Sequence, residues 1–528
     1  MKPARERLFS TLSRVYGERG ADLAREVLAL AETQEKRPGP LDQLDLGPGE
    51  GLLIAYGDQV QRKGEPGLRT LRRFLDRLPL GFGVHVLPLH PYSSDDGFSV
   101  IDYYAVRPEL GGWEDVRALA RGRRLMLDAV VNHASKESVW FKRFSRSEAG
   151  WERFFLEDGG WDTSRVVRPR TTPLFTKIAG RRLWTTFGPD QVDLNYREPK
   201  VFLEVLKVLY FFVRQGADLI RLDAVGFLWK APGRPSIHEP ETHALIQAFR
   251  AALDLVAPGV KLVTETNVPH AENVAYFGDG FDEAQLVYNF ALPPLVLDAY
   301  ARGDVRRLSE WAAGLRAPSP RTAFLNFLAS HDGIGLRPAE GLVPEEDLLR
   351  LLARARAHGG EVSYRSTPGG ERPYELNLTW WDALNPPGED EDVGLARHLG
   401  SHLILLALAG LPAVYFLSWL GAPSWHEGYR ESGVKRRLNR QKFEEKELLA
   451  ALNDPQHRFA RVFSAMKRLF AEVRPHPLAP HRVLEADPRV FAVERDGYRF
   501  FINVSAEPVP LPEGGSLAPY GYAVRPPR

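Results

Sequence analysis

No cysteine occurs anywhere in the 528 residues. Disulfides, thiolate metal sites and a cysteine nucleophile are excluded together, and a reducing compartment is compatible with that. Neither sign of charge is in excess: 69 Lys and Arg stand against 68 Asp and Glu, a net charge of +1. A nucleic-acid binder ordinarily carries a basic surplus, so no such partner is expected. There is no internal repeat and no low-complexity tract. No G-x-x-x-x-G-K-[ST] loop is present, and Gly81-Phe-Gly83 precedes an apolar run instead of following one, which leaves no phosphate cradle for a nucleotide. No G-x-S-x-G elbow is present either. The first thirty residues interleave Arg, Glu and Leu and form no apolar signal core, so a cytoplasmic protein is expected. One long stretch, between Arg397 and Glu427, lacks Asp, Glu, Lys and Arg. Gly410-Leu411-Pro412 interrupts it and Val414-Tyr415-Phe416 reads as a strand. A buried helix leading into a buried strand is expected there, not a membrane span.

What is present suits a folded enzyme-sized protein: 44% hydrophobic and 26% charged residues. The length admits several modules, or one large α/β barrel with insertions. Residues 1–48 read as an amphipathic helical extension, with Leu8, Leu12, Val15 and Tyr16 at helical spacing and Arg37-Pro38-Gly39-Pro40 as its end. From Gly51 onward short β-rich runs alternate with longer helical stretches. The runs are Leu52–Tyr56, Val84–Leu89, Arg124–Asn132, Leu219–Val225, Lys261–Asn267, Ala284–Phe290, Ala323–Ser330 and Pro412–Phe416. Eight of them predict a (β/α)₈ TIM barrel built from 49–133, 194–336 and 397–477. Two gaps exceed one helix. These are expected as inserted loop domains on the face where βα loops sit, 134–193 after the third strand and 337–396 after the seventh. From 478 to 528 short β runs predict a small C-terminal β domain.

The strands deliver acids at their C-terminal ends, where a barrel presents its chemistry. The third ends Leu127-Asp128-Ala-Val-Val-Asn132-His133, the fourth Ile220-Arg221-Leu222-Asp223, the fifth Val263-Thr264-Glu265-Thr-Asn267, and the seventh Ala329-Ser330-His331-Asp332. An ionisable group closing an apolar strand is costly to bury without a partner. One such end is compatible with a structural ion pair; four around one mouth point to chemistry, with Asp128 the most structural in character because Asn132 and His133 lie further out. Arg221 stands two residues before Asp223, on the same face of the strand, where its guanidinium favours an ionised Asp223. His238 and His243 are five apart with Pro240 between them, so they do not share a helix face, and no metal is expected. Carboxylates around a barrel mouth, with no metal or nucleotide motif, suit glycosyl transfer. Tyr92, Phe98, Trp184, Phe187 and Tyr374 are candidates for sugar stacking or for rim packing.

The four strand ends resemble the four conserved regions of the α-amylase family of glycoside hydrolases, in order and across the whole barrel. Ser94-Asp95-Asp96-Gly97-Phe98, Leu110-Gly-Gly-Trp113, Arg168-Pro169-Arg170 and His331-Asp-Gly-Ile-Gly335 resemble its sucrose phosphorylase subgroup. Trp229-Lys230, Thr264-Glu-Thr-Asn-Val-Pro-His270 and Tyr374-Glu-Leu-Asn377 look most like glucosylglycerate phosphorylases. The resemblance implies that Asp223 is the nucleophile, that Glu265 protonates the departing oxygen, and that Asp332 holds the sugar hydroxyls. It implies that Arg221, His133, His331 and Gln191 bind glucose, with Asp95 and Arg436 on the far hydroxyls and Phe98 and Phe187 as walls. Arg170, Tyr374 and Glu375 fall on the acceptor side. Glu265 has to be protonated at neutral pH, and the charges of Asp223 and Asp332 would raise it.

No cofactor is implied; inorganic phosphate is the co-substrate and a small sugar the other partner, with the oligomeric state open. Many sucrose phosphorylases carry glutamine where this chain has Glu375, and an E-V-H run where it has Glu265-Thr-Asn, which argues against fructose as leaving group. Glu375 sits awkwardly with an anionic acceptor unless it pairs with an arginine or points away. Three readings stay open: an α-glucosyl phosphorylase (glucosylglycerate, then sucrose 6-phosphate, then sucrose), a hydrolase or transglucosidase of the same fold, and a non-enzymatic relative.

Overall fold

The computed structural model describes residues 2–367, 369–511 and 514–527. Met1 and Arg528, which bound the first and last segments expected from the sequence, lie outside the described residues. Eight parallel strands close into a barrel in sequential order: β1 (Gly51–Ala55), β2 (Phe82–Val86), β3 (Leu125–Val130), β4 (Leu219–Asp223), β5 (Lys261–Thr264), β6 (Leu286–Tyr288), β7 (Ala323–Asn326) and β8 (Leu411–Tyr415). Every strand is buried along its whole length, because helices cover the outside and side chains fill the inside. The fold is the expected (β/α)₈ barrel, with an extra antiparallel sheet near the C-terminus formed by His481–Val483, Val490–Arg495, Tyr498–Asn503 and Tyr522–Arg525. That sheet is tied to the barrel through Arg495, whose Nη1 donates to Leu406 O at 2.6 Å and whose Nη2 donates to Pro477 O at 3.0 Å.

Several boundaries differ from the sequence expectation, each for a local reason. The N-terminal extension is two helices, Ala4–Tyr16 and Glu18–Glu32, separated at Gly17, whose φ of 62° no other residue type adopts as easily. Arg7 anchors it to the barrel's buried Asp254. The strands stop earlier than the apolar runs. The seventh ends at Asn326, so His331 and Asp332 stand on a loop beyond the ladder. That loop is held by Asn439, whose Nδ2 donates to Ser330 O at 3.1 Å and to Asp332 O at 2.6 Å. The helix Glu391–Ala407 runs unbroken through residue 397, where a segment boundary was expected. His133–Ser135 pairs antiparallel with Gln191–Asp193, closing the neck of the first excursion. The second carries a hairpin, Glu361–Thr367 with Gly370–Asn377, extended by Ile334–Gly335 into a three-stranded sheet. The apolar stretch after Arg397 is the end of this helix, then β8, then the short helix Phe416–Leu420. No helix among the described residues is long and apolar enough to cross a membrane.

Candidate active site

Strand register builds the floor of the site. In the β3–β4 ladder Asp128 lies opposite Arg221 and Val130 opposite Asp223. Arg221 and Asp223, two apart, face the same way. The Arg221 guanidinium therefore sits between two carboxylates, bonding Asp128 on one side and Asp223 Oδ1 at 2.7 Å on the other. His85 Nε2, from β2, completes the set on Asp128 Oδ2 at 2.7 Å. Burial opposes the Asp128 charge, but Arg221 and His85 overcome it and hold the carboxyl at about 2. Asp128 is thus the counter-ion of the floor.

Glu265 follows β5 by one residue. Its Oε2 accepts the backbone N–H of Ala224 at 2.9 Å. Ala224, next to Asp223, adopts a left-handed φ of 51°, a conformation that costs a non-glycine residue roughly 1–2 kcal/mol. That turn aims the N–H at the carboxylate. Burial pushes both Asp223 and Glu265 up. For Asp223, Arg221 pulls the other way while Glu265 and Asp128 add to the rise; for Glu265, Arg221 again opposes and Asp332 adds. The expected effect of Arg221 on Asp223 is present but does not win against desolvation, and burial, not charge repulsion, is the first cause for Glu265. Burial is thus the first cause of the rise in both acids, and the direct guanidinium contact favours the negative charge on Asp223.

Asp332 differs. Burial works against its charge, yet Arg436, His331 and Arg440 hold it far below the usual carboxylate range. Arg436 Nη1 is 2.5 Å from Asp332 Oδ1. The same guanidinium bonds Glu375 through Nε at 3.2 Å and Nη2 at 2.7 Å. Glu375 is almost wholly buried, so the acid that sat awkwardly in the sequence carries its own cation.

The residues expected on the sugar side converge on this centre. The Phe98 ring stacks on His331 at 4.8 Å and 5°. His133 Nε2 donates to Phe98 O at 2.9 Å, and its ring lies 5.2 Å from Phe187. Gln191 reaches Asp95 Oδ2 at 3.4 Å and Phe98 O at 3.3 Å. Burial pushes His133 down and His331 down to about 3, so both rings are neutral at neutral pH. Arg170 lies over Phe187 at 5.8 Å and over Tyr374 at 5.9 Å. Tyr92 receives Arg107 at its hydroxyl, and Trp184 packs against Trp161 and Phe175 inside the first excursion, as rim and core. His238 faces Glu272 and Tyr276, and His243 faces Glu283.

A second arginine, Arg440, joins Arg436 in this cluster: Arg440 Nη1 is 2.8 Å from Asp96 Oδ2 and 3.5 Å from Asp95 Oδ1, and Nη2 is 3.5 Å from Asp332 Oδ1. Arg440 Nε donates to His331 O at 2.9 Å. The segment Lys435–Asn439 is a short 3₁₀ turn, and its coiling, invisible in composition, turns Arg436 to Glu375 and Arg440 to Asp95. Tyr56, just past β1, was also missed. Its ring lies edge-on to His331 at 6.0 Å, and its buried hydroxyl has no hydrogen-bond partner among the described residues. A groove of about 880 Å³ at the opposite end of the barrel, lined among others by Arg37, Arg124 and Asp218, holds none of these acids.

Residues 80–332 match the alpha amylase catalytic domain. Glucosylglycerate phosphorylase of Allomeiothermus silvanus is 47% identical over 522 residues, covering 96% of this chain and 93% of that protein. The enzyme of the same name from Spirochaeta thermophila is 44% identical over 513 residues, covering 94% and 87%. The chain belongs to the glucosylglycerate phosphorylase branch of the α-amylase family. The fold agrees: sucrose 6F-phosphate phosphorylase from Thermoanaerobacter thermosaccharolyticum superposes with a TM-score of 0.76 at 22% identity, over 90% of this chain and 98% of that one.

Proposed function

We propose that the protein is a retaining α-glucosyl phosphorylase that interconverts 2-O-α-D-glucosylglycerate and phosphate with α-D-glucose 1-phosphate and D-glycerate. The observation that carries this reading is the pairing of two unlike halves in one site. Asp223, Glu265 and Asp332 surround Arg221 as a glucosyl-transfer centre. Over Phe187 and Tyr374 lies Arg170, a guanidinium with no carboxylate partner among the described residues. A neutral acceptor needs no such cation; glycerate and phosphate both do.

On this reading Asp223 attacks the anomeric carbon while Glu265 gives its proton to the glycerate oxygen, which leaves. The C1–O bond to glycerate breaks as the C1–O bond to Asp223 forms, giving a β-glucosyl ester. Phosphate enters, gives a proton to Glu265 and displaces Asp223, and the second inversion restores the α configuration. Asp332, held as an anion by Arg436 and Arg440, grips the ring hydroxyls. His133, His331 and Gln191 supply neutral hydrogen bonds, and Phe98 and Phe187 the walls.

The experiment is incubation with α-glucose 1-phosphate and, separately, D-glycerate, glycerol, fructose or fructose 6-phosphate, following phosphate release. D-Glycerate is expected to be the most efficient acceptor. A preference for fructose or its phosphate, or release only with water, would overturn the assignment.

A further inference from the structure

Arg168 stands two residues before Arg170 and has a different environment. Its Nε and Nη2 are buried and have no hydrogen-bond partner among the described residues. These two atoms form one edge of the guanidinium, with their N–H bonds parallel. That edge is the fork by which an arginine holds two oxygens of one anion. Elsewhere in this molecule it does so: Arg73 grips Glu445 at 2.7 and 2.9 Å, Arg436 grips Glu375 at 3.2 and 2.7 Å, and Arg489 grips Asp487 at 2.8 and 2.8 Å. A charged fork withdrawn from water and given no oxygen is unfavourable in a folded chain unless something else takes it.

The carboxylate that acts on its charge is Asp193, but that group already has its own donors. Thr186 N–H takes Oδ1 at 2.8 Å, while the Thr186 hydroxyl, Asn132 and Lys230 converge on Oδ2 at 2.7, 3.1 and 2.6 Å. Position is set by the roof of the site. The Arg168 backbone bridges Ser366 on one strand of the hairpin, Val167 N–H donates to Pro235 O at 3.0 Å, and Arg170 lies over Tyr374 on the other strand. Tyr374 adjoins Glu375, whose partner Arg436 holds Asp332. The 168–170 segment is therefore clamped across the hairpin that covers the acids. Neither arginine is bonded to a carboxylate among the described residues.

We propose that Arg168 is a second anion-binding residue of the acceptor subsite, its Nε and Nη2 taking two oxygens of the incoming phosphate or of the glycerate carboxylate. The inference rests on the phosphorolysis reading above and assigns to it a residue that spacing alone did not single out.

The test uses the partition of the glucosyl-enzyme, which only folded, active molecules form. With α-D-glucosyl fluoride as donor, the ratio of glucose 1-phosphate to glucose at a fixed low phosphate concentration reports the phosphate step against the water step. Arg168→Gln is expected to lower that ratio at least tenfold. Arg168→Lys is expected to fall between it and the parent, because an ammonium keeps the charge and loses the fork. A second arm compares D-glycerate with glycerol as acceptor, and the glycerate preference is expected to drop. A drop for one anion alone supports the assignment and identifies which oxygens the fork holds. Ratios within twofold of the parent in both arms would overturn it. A parent that hydrolyses the fluoride yet forms no glucose 1-phosphate would instead overturn the phosphorolysis reading itself.

Discussion

Glu375 closes both its oxygens on one edge of Arg436, at 3.2 and 2.7 Å, while another nitrogen of the same guanidinium lies 2.5 Å from Asp332. One cation thus serves two acids. Glu375 does not confront an anionic acceptor with a bare charge; it consumes half of Arg436 and leaves the rest on Asp332. Glu375→Gln keeps the shape and frees one positive charge next to the acceptor side. At about 7–8 Å and an effective dielectric of about 20, that is worth roughly 2 kcal/mol to a phosphate oxygen. The expected result is a phosphate KM that falls about thirtyfold, with a smaller fall in kcat as Asp332 loses its fixed partner. A phosphate KM that rises would show that Glu375 does not act by neutralising Arg436.

Asp128 gives a stability prediction with a definite sign. Its folded value, about 2, lies below the unfolded 3.8, with burial outweighed by Arg221 and His85. Its contribution is therefore complete above about pH 4 and disappears as pH falls through about 2. Asp128→Asn removes one partner of a buried pair and is expected to cost about 3–5 kcal/mol at pH 7, with the gap to the parent closing in acid. Asp128 is also one of the charges that raise Asp223. Its loss is expected to move the acid limb of the kcat/KM profile to lower pH. Chemical denaturation across pH and a pH–rate profile check both; a destabilisation as large at pH 2 as at pH 7 would contradict the ion-pair account.

Much of this site was legible in the chain because its signals are local. Runs buried on both faces announce barrel strands, and a spacing of two puts Arg221 and Asp223 on one face whatever the rest of the fold does. Arg440 was not legible. Arg436, Arg437 and Arg440 crowd together in sequence, and only the coiling of that turn decides which of them meets Asp95. The hairpin 361–377 was hidden because most of its first strand is only half buried, so no alternation of apolar and polar residues marks it. The partner of Glu375 lies 61 positions away, and the orphaned edge of Arg168 is a property of burial, which no motif records.

Asp223→Asn retains the volume and removes the carboxylate proposed as nucleophile. The rate of glucosyl transfer is expected to fall at least about a thousandfold, as covalent catalysis by the carboxylate disappears. The parent is expected to give the α anomer of glucose 1-phosphate, with the carboxyls of Asp223 and Glu265 about 5–5.5 Å apart in the liganded enzyme. Proton NMR of the first-formed product decides the point: an initial β anomer would mean a single displacement, and a variant within tenfold of the parent would remove Asp223 from the bond-forming role.

Arg440 should behave as a glucose-side residue, in contrast to Arg168. It staples the loop after β2 to the loop after β7, with one guanidinium on Asp96, Asp95, Asp332 and the carbonyl of His331. Lysine keeps the charge but is a single point on a flexible stem and cannot reach all four. Removing one charge-assisted hydrogen bond costs roughly 1.5–3 kcal/mol, so Arg440→Lys is expected to lower kcat/KM for phosphorolysis by about ten- to a hundredfold. Glucose occupies its subsite in both half-reactions, whichever of phosphate or water attacks. The partition of the glucosyl-enzyme between them is therefore expected to stay within about twofold of the parent, whereas an acceptor-side variant shifts it. Measuring efficiency and partition on the same preparation separates the two halves of the site. If Arg440→Lys changed the partition as strongly as Arg168→Gln, or if Arg436→Lys alone produced the loss in efficiency, Arg440 would not be a glucose-side residue.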